Sequence, residues 1–262
     1  MLQSGNTSGN LRVYKGDQMT DTAPATAPAE AAPKGLISRI FGVFFAPRAT
    51  YAAVAAHPKW LGVLAVSCVL IAGGYFVFLS TEVGRKAAFD QQTQMIESFG
   101  IKLNDAAYDR MEAGIERARY TTPIGQVIVI PIMLAIVAGI LLGVFNALLG
   151  GDATYKQVYA ILAHSTVIAV LQNLFALPLD YLRESLSSPT TLGAIMPFVD
   201  EGTFLGRLLS TIDLFQVWSI VSVAIGLGVL YKRRTTPIAV SLFIVFFVIL
   251  AAVAGVRTAL SS

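Results

Sequence analysis

Charge is scarce in this chain. Only 13% of its 262 residues are Asp, Glu, Lys or Arg, about half the ~25% carried by a typical soluble domain. So few polar groups cannot clothe a globular surface of this size, and lipid must cover the remainder. Cysteine is scarcer still. Cys68 stands alone inside an apolar block, which excludes an intrachain disulfide and a cysteine-based metal site. The two histidines, His57 beside a proline and His164 far away in sequence, make no metal set. There is no His-Glu-x-x-His, no Gly-x-Ser-x-Gly and no phosphate-binding loop. Gly150-Gly151-Asp152 invites comparison with the Gly-x-Gly-Asp of intramembrane aspartyl proteases, but Leu149 stands where the first glycine belongs, and Asp180 precedes its tyrosine instead of following one. Neither an enzyme nor a cofactor is therefore expected. A net charge of only +3, with no long basic run interleaved with aromatics, also excludes nucleic acid as the expected partner.

What the chain does have is apolar length. It is 55% hydrophobic, with a mean hydropathy of +0.67, and the excess is gathered into five blocks. These predict an all-α, polytopic membrane protein with spans at about 60–80, 124–149, 155–179, 212–231 and 238–260. The first block holds eleven Leu, Ile, Val and Phe residues, roughly −3 to −7 kcal/mol of insertion free energy at ~0.3–0.6 each. The third is the weakest, because His164, Gln172 and Asn173 interrupt it.

Residues 1–33 are rich in Ala, Pro, Thr, Ser and Gly without apolar period and are expected to be disordered. They hold no apolar core of a signal peptide, and Met19 is an alternative start to Met1. Residues 34–58 change character. Ile37, Ile40, Phe41 and Phe44 share one helical face, while the run from Ile40 to Ala46 is too short to span. Two readings stand side by side: an amphipathic helix in the membrane interface with its basic residues toward headgroups, or a helix packed on the protein itself. A second turn, Arg48 to Ala56, sets Tyr51, Val54 and Ala55 on one side. The 59–262 remainder is the five-span domain.

Basic residues near the spans set the expected orientation. Lys34, Arg39, Arg48 and Lys59 precede the first span, Lys156 marks the turn after the second, and Lys232, Arg233 and Arg234 precede the fifth. All fall on one side if the N-terminus is cytoplasmic and the C-terminus extracytoplasmic, in a bacterial inner membrane. The loop at 82–122 then faces outward. Its Tyr108, Met111, Ile115 and Ala118 form a stripe behind an Asn104 or Asp105 cap, and Val83, Ala87 and residues 95–99 predict a partner helix, together an extracytoplasmic helical hairpin. The 180–211 loop, with Ile195, Met196, Phe198, Phe204, Leu205, Leu208 and Leu209, is expected to dip into the interface.

Within lipid, helices approach through small residues. Ala135, Gly139, Gly143 and Ala147 recur every fourth residue in the second span, and Ala251, Gly255 and Ala259 repeat the spacing in the fifth. Internal packing is the first expectation, a homo-oligomer face the second and chance the third. The intramembrane polar residues Asn146, His164, Gln172 and Asn173 have two readings, a polar path for a small solute and plain interhelical hydrogen bonding. The turn with Gly150, Gly151, Asp152, Tyr155 and Lys156 is a helix reversal with its own capping account and also a candidate contact point for a protein partner.

The ensemble resembles the Yip1 family as found in bacteria. The likeness rests on the lead-in Ile37-Ser38-Arg39-Ile40-Phe41 through Ala46-Pro47-Arg48, on Tyr51, Val54, Pro58 and Trp60, on the Leu149–Gln157 turn, and on the five-span layout. The resemblance implies a cytoplasmic N-terminus and five spans. Its eukaryotic members bind prenylated Rab-type GTPases, which a bacterial cell lacks, so what it implies here is the general role of membrane adaptor or organiser. A transporter or channel for small solutes is the rival class.

Overall fold

The computed structural model describes residues 35–196, 198–199 and 204–261, and the expected disordered tail lies outside them. Among the described residues the chain forms helices joined by short turns, plus one isolated bridge between Thr191 and Asp213. The all-α expectation holds.

The lead-in is two helices, α1 (Leu36–Phe45) and α2 (Pro47–Ala56). Proline at the first position of α2 costs no hydrogen bond, because that N–H has no partner in any helix. Next come α3 (Leu61–Ser80), α4 (Glu82–Glu97) and α5 (Asp105–Leu149). Thr81 caps α4 by accepting from the Gly84 N–H, and Asn104 caps α5 by accepting from the Ala107 N–H. The second half of the chain holds α6 (Tyr155–Arg183), the short α7 (Leu192–Ile195) and α8 (Phe204–Leu209), α9 (Leu214–Leu230) and α10 (Thr235–Ser261).

Four helices, α3, α5, α6 and α10, are long and apolar enough to cross a membrane. The expected fourth span is α9, an apolar helix of 17 residues, which rises about 25 Å. The two arms predicted in the 82–122 loop are α4 and the first half of α5. They are joined by an Arg85–Glu116 ion pair at 3.8 Å and by Tyr108 donating to Glu97 at 3.1 Å. The stripe Tyr108, Met111, Ile115 and Ala118 is half-buried while most of its neighbours are exposed. The second arm does not end before the membrane: α5 runs through Pro123 and Pro131 as one helix of 45 residues, about 67 Å long.

The core is centred on α6. It packs against α3, α5 and α9 and touches α1 and α2 as well. Val158, Ala160, Ile161, Ala163, His164 and Ile168 on it have no measurable exposure. The expected weakest span is thus the one that α3, α5 and α9 pack around.

The small-residue stripe of the second span does not pack inside the chain, which corrects the first expectation for it. Gly139, Gly143 and Ala147 are exposed, and a Cβ on either glycine would meet nothing within 4 Å. Ala135 alone of the four leans on the core. The buried face of α5 is the neighbouring one, Ala138, Leu141 and Phe145, where larger side chains fill the space against α6 and α9. Ala251 and Gly255 of α10 are exposed too.

Candidate functional site

One end of the bundle gathers most of the residues singled out from sequence. There α1 and α2, the start of α3, the α5–α6 turn and the α9–α10 turn come together.

The lead-in is built into this end. Tyr51 is fully buried and its hydroxyl lies 2.6 Å from Ser222 Oγ on α9. Burial pushes the Tyr51 phenol above its ordinary pKa, against a smaller opposing effect of that hydrogen bond, so it stays neutral. Gly226 makes the approach possible, since a Cβ there would run into Ile161 Cγ2 and meet Tyr51 Cδ1 at 3.2 Å. Gln157 Nε2 donates to the Ala55 carbonyl at 2.9 Å, tying α2 to the start of α6. Of the two sequence readings of this segment, packing on the protein describes α2.

Arg39 overturns the expectation that the basic residues of α1 point to headgroups. It is only 8% exposed. Its Nη1 donates to the Lys59 carbonyl and to His164 Nε2, the latter at 3.3 Å. A guanidinium only donates, so His164 Nε2 accepts, and Nδ1–H donates to the Ala160 carbonyl at 2.7 Å. The imidazole is therefore the neutral Nδ1–H tautomer. Burial lowers the Arg39 pKa from its ordinary value, yet guanidinium remains charged. The bundle end supplies Arg39 with two acceptors, and α1 turns its apolar side outward: Ile37, Phe41 and Phe45 are all well exposed. Sequence periodicity placed Arg39 and His164 on their helices but could not pair positions 125 residues apart.

The turn between α5 and α6 is rigid for stated reasons. Gly150 is left-handed at φ 62°, where a side chain would be strained. Thr154 and Gln157 complete a reciprocal capping box. Asn146 reaches across the turn, donating to the Ala153 carbonyl at 3.1 Å and accepting from the Tyr231 hydroxyl at 2.8 Å. Gly151 is pressed to the Tyr231 ring, which leaves no room for a Cβ. Tyr155 stacks near Tyr159 and donates to the Ala135 carbonyl at 2.9 Å, so part of its role is structural. Asp152 and Lys156 are exposed, and among the described residues neither side chain has an ion pair.

Three of the four intramembrane polar residues have hydrogen-bond partners of their own. Asn146 serves the turn, His164 holds Arg39, and Asn173 Nδ2 donates to the Ala169 carbonyl of its own helix at 2.8 Å. Gln172 is half-buried. A groove of about 370 Å³ lies elsewhere, along the α4–α5 arms, lined by Gln92, Arg110, Met111, Ile115 and Thr122 among others.

Two polar groups at the opposite end were not among the candidate site residues, Asp180 having been weighed and set aside. Asp213 caps α9 and also accepts from Ser188 at 2.7 Å and Thr190 at 2.5 Å, fastening the α6–α9 connection. The sequence signal was available, as an acidic residue directly before an apolar run. Asp180 is buried near the end of α6, with Oδ1 unpartnered. Among the described residues no group of three or more His, Cys, Asp or Glu side chains converges to hold a metal ion.

A family model described as the Yip1 domain matches residues 41–255. No curated protein and no solved structure matches the chain.

Proposed function

The chain belongs to the Yip1 family of membrane proteins, and from that premise we propose that it is a non-enzymatic adaptor that gathers other proteins at a membrane. The observation that supports this most is the α5–α6 turn. Asp152 and Lys156 stand exposed on a loop held still by Asn146, Tyr231 and the Thr154–Gln157 box. A preorganised surface loop loses little entropy on contact, which is what a docking point needs.

The protein resides in a bacterial inner membrane with its N-terminus cytoplasmic and, counting α9 as the fourth crossing, its C-terminus outside. Six exposed cations at one end, Arg48, Lys59, Lys156, Lys232, Arg233 and Arg234, support that orientation. The α4–α5 arms then face outward. The partner is a protein, not a nucleic acid, and self-association through the outer face of α5 is a further option for Gly139 and Gly143.

A photo-crosslinker placed at Asp152 tests the reading, with a second placed at lipid-facing Ile140. The same defined protein adduct from Asp152 but not Ile140, lost in the Lys156→Glu variant, is the expected result. Tyr155 is left intact because its bond to Ala135 would confuse folding with recognition. Adducts from both positions, or none but the protein itself, would discard the adaptor reading.

A further inference from the structure

The α9–α10 turn concentrates positive charge in a way that helix reversal does not require. α9 ends in a Schellman motif: the Arg233 N–H bonds the Gly228 carbonyl at 2.9 Å and the Lys232 N–H bonds that of Val229 at 3.3 Å. The left-handed position of this motif favours glycine, yet Lys232 occupies it at φ 52°. Arg233 and Arg234 follow at once. Arg48 joins them from α2, donating through Nη2 to Thr235 Oγ1 at 3.2 Å, so three arginines and a lysine meet around the first residue of α10.

Among the described residues no carboxylate forms an ion pair with them. The acidic residue of the neighbouring turn, Asp152, makes no ion pair, and among the described residues the ion pair present is Arg85–Glu116 in the α4–α5 arms. Four like charges this close repel one another unless an anion sits among them. The surface leading away from the cluster defines what kind of anion. α10 descends from Thr235 almost uncovered, with Val240, Ile244 and Val248 all more than half exposed. Phe45, 84% exposed, lies three residues before Arg48. A free phosphate or an acidic peptide would use the cations and leave this apolar surface bare, whereas an amphiphile uses both.

We propose that Arg48, Arg233 and Arg234 hold the phosphate of an anionic phospholipid whose acyl chains lie along α10. The arginines supply planar donors that suit phosphate oxygens, and a basic cluster at a bilayer surface is a recognised form of anionic-lipid site. The inference depends only on residence in a membrane and stands apart from the adaptor reading.

The test uses the full chain, delipidated in detergent and returned to nanodiscs of phosphatidylcholine with or without phosphatidylglycerol. Lipid retained on the protein is counted by native mass spectrometry, and thermal unfolding is followed by tryptophan fluorescence. The wild type should retain phosphatidylglycerol preferentially and unfold at a higher temperature when it is present. Arg233→Gln with Arg234→Gln should weaken that preference roughly 25-fold, from about fivefold per basic residue. Arg233→Lys with Arg234→Lys, which keeps the charge, should preserve most of it, and Lys86→Gln with Arg110→Gln in the α4–α5 arms should leave it unchanged. If the glutamine pair does not fold, Arg48→Gln alone, with the turn intact, should still lower retention several-fold. Equal retention of the two lipids by the wild type overturns the proposal, as does an unchanged preference in the glutamine pair. Capture of a polyglutamate peptide without any lipid preference overturns it as well, in favour of an acidic protein ligand.

Discussion

α6 and α10 are both membrane-length helices, and they solve opposite problems. The most apolar stretch of α6 has a mean hydropathy of 1.7 and is 67% buried; that of α10 reaches 2.4 and is 6% buried. The less greasy helix is the central one. Lipid charges several kcal/mol for an unpartnered polar group, so α10 faces it with Val240, Ile244 and Val248. α6 meets protein along most of its apolar stretch and holds His164, Ser165 and Thr166 there, each donating to a carbonyl of its own helix, with His164 also accepting from Arg39 of α1. Low hydropathy in a span marks here an inner position, not a doubtful one.

The largest expected effect tests that contrast with glycines. Gly226 of α9 lies against Ile161 of α6 and Tyr51 of α2, whereas Gly143 of α5 faces outward with nothing near it. Gly226→Val should destabilise the protein by about 3 kcal/mol, since a packed interior has no slack for added methyls. Gly143→Val should change stability by no more than ~0.5 kcal/mol. Denaturant titration in micelles reads both. A cost at Gly143 approaching that at Gly226 would break the comparison and show that a second copy covers α5.

Next in size is the Arg39–His164 contact. His164→Leu removes an acceptor from a buried guanidinium and should cost about 2 kcal/mol. Arg39→Met should cost a similar amount, and the double variant should be less destabilised than the sum by about 1 kcal/mol. Ile244→Leu on α10 serves as the lipid-facing control and should be near neutral. Strict additivity would mean that the two residues act separately and that α1 is held by other contacts.

Much of this architecture was legible in the sequence, and the missing part has a common cause. Apolar length located the membrane helices, and period located the face of α5 formed by Tyr108, Met111, Ile115 and Ala118. Caps were legible as Asn104 or Asp105 and as Asp152 or Thr154, and in the structure Asn104 and Thr154 are the ones that cap. Period does not say what covers a face. The spacing of Gly139 and Gly143 signalled close approach, yet Ala138, Leu141 and Phe145 on the adjoining face make the contact. In the same way α1 had a visible apolar stripe, but only the acceptors at Lys59 and His164 reveal why Arg39 turns inward. The expected span began at about 124, and the continuity of α5 through Pro123 was not foreseen; a membrane helix can keep such a proline when neighbours satisfy the freed carbonyl. At the candidate site, the exposure of Asp152 and Lys156 was expected, while the clamp by Asn146 and Tyr231 joins residues 85 apart and was not.

A smaller effect belongs to the Tyr51 hydroxyl. Tyr51→Phe should cost about 1 kcal/mol, the net value of a buried neutral hydrogen bond. Ser222→Ala should cost about the same, and combining them should add little more. A larger loss from the phenylalanine than from the alanine would indicate a further partner for the phenol.

The smallest difference is the most informative for the solute-path alternative. Asn173 on α6 and Ser241 on α10 each donate to the carbonyl four residues earlier in the same helix, at 2.8 and 2.9 Å. Neither bond crosses between helices. Asn173→Ala and Ser241→Ala should therefore both fall within about 0.6 kcal/mol of wild type, the average for polar contacts between membrane helices, although one helix is central and the other peripheral. Equal small costs would mean that burial of a helix does not by itself make its polar residues consequential; an interhelical partner does. A cost above ~1.5 kcal/mol at Asn173 alone would place a second group against it, and a pair of facing polar residues in the middle of α6 is the feature that a path for small solutes requires.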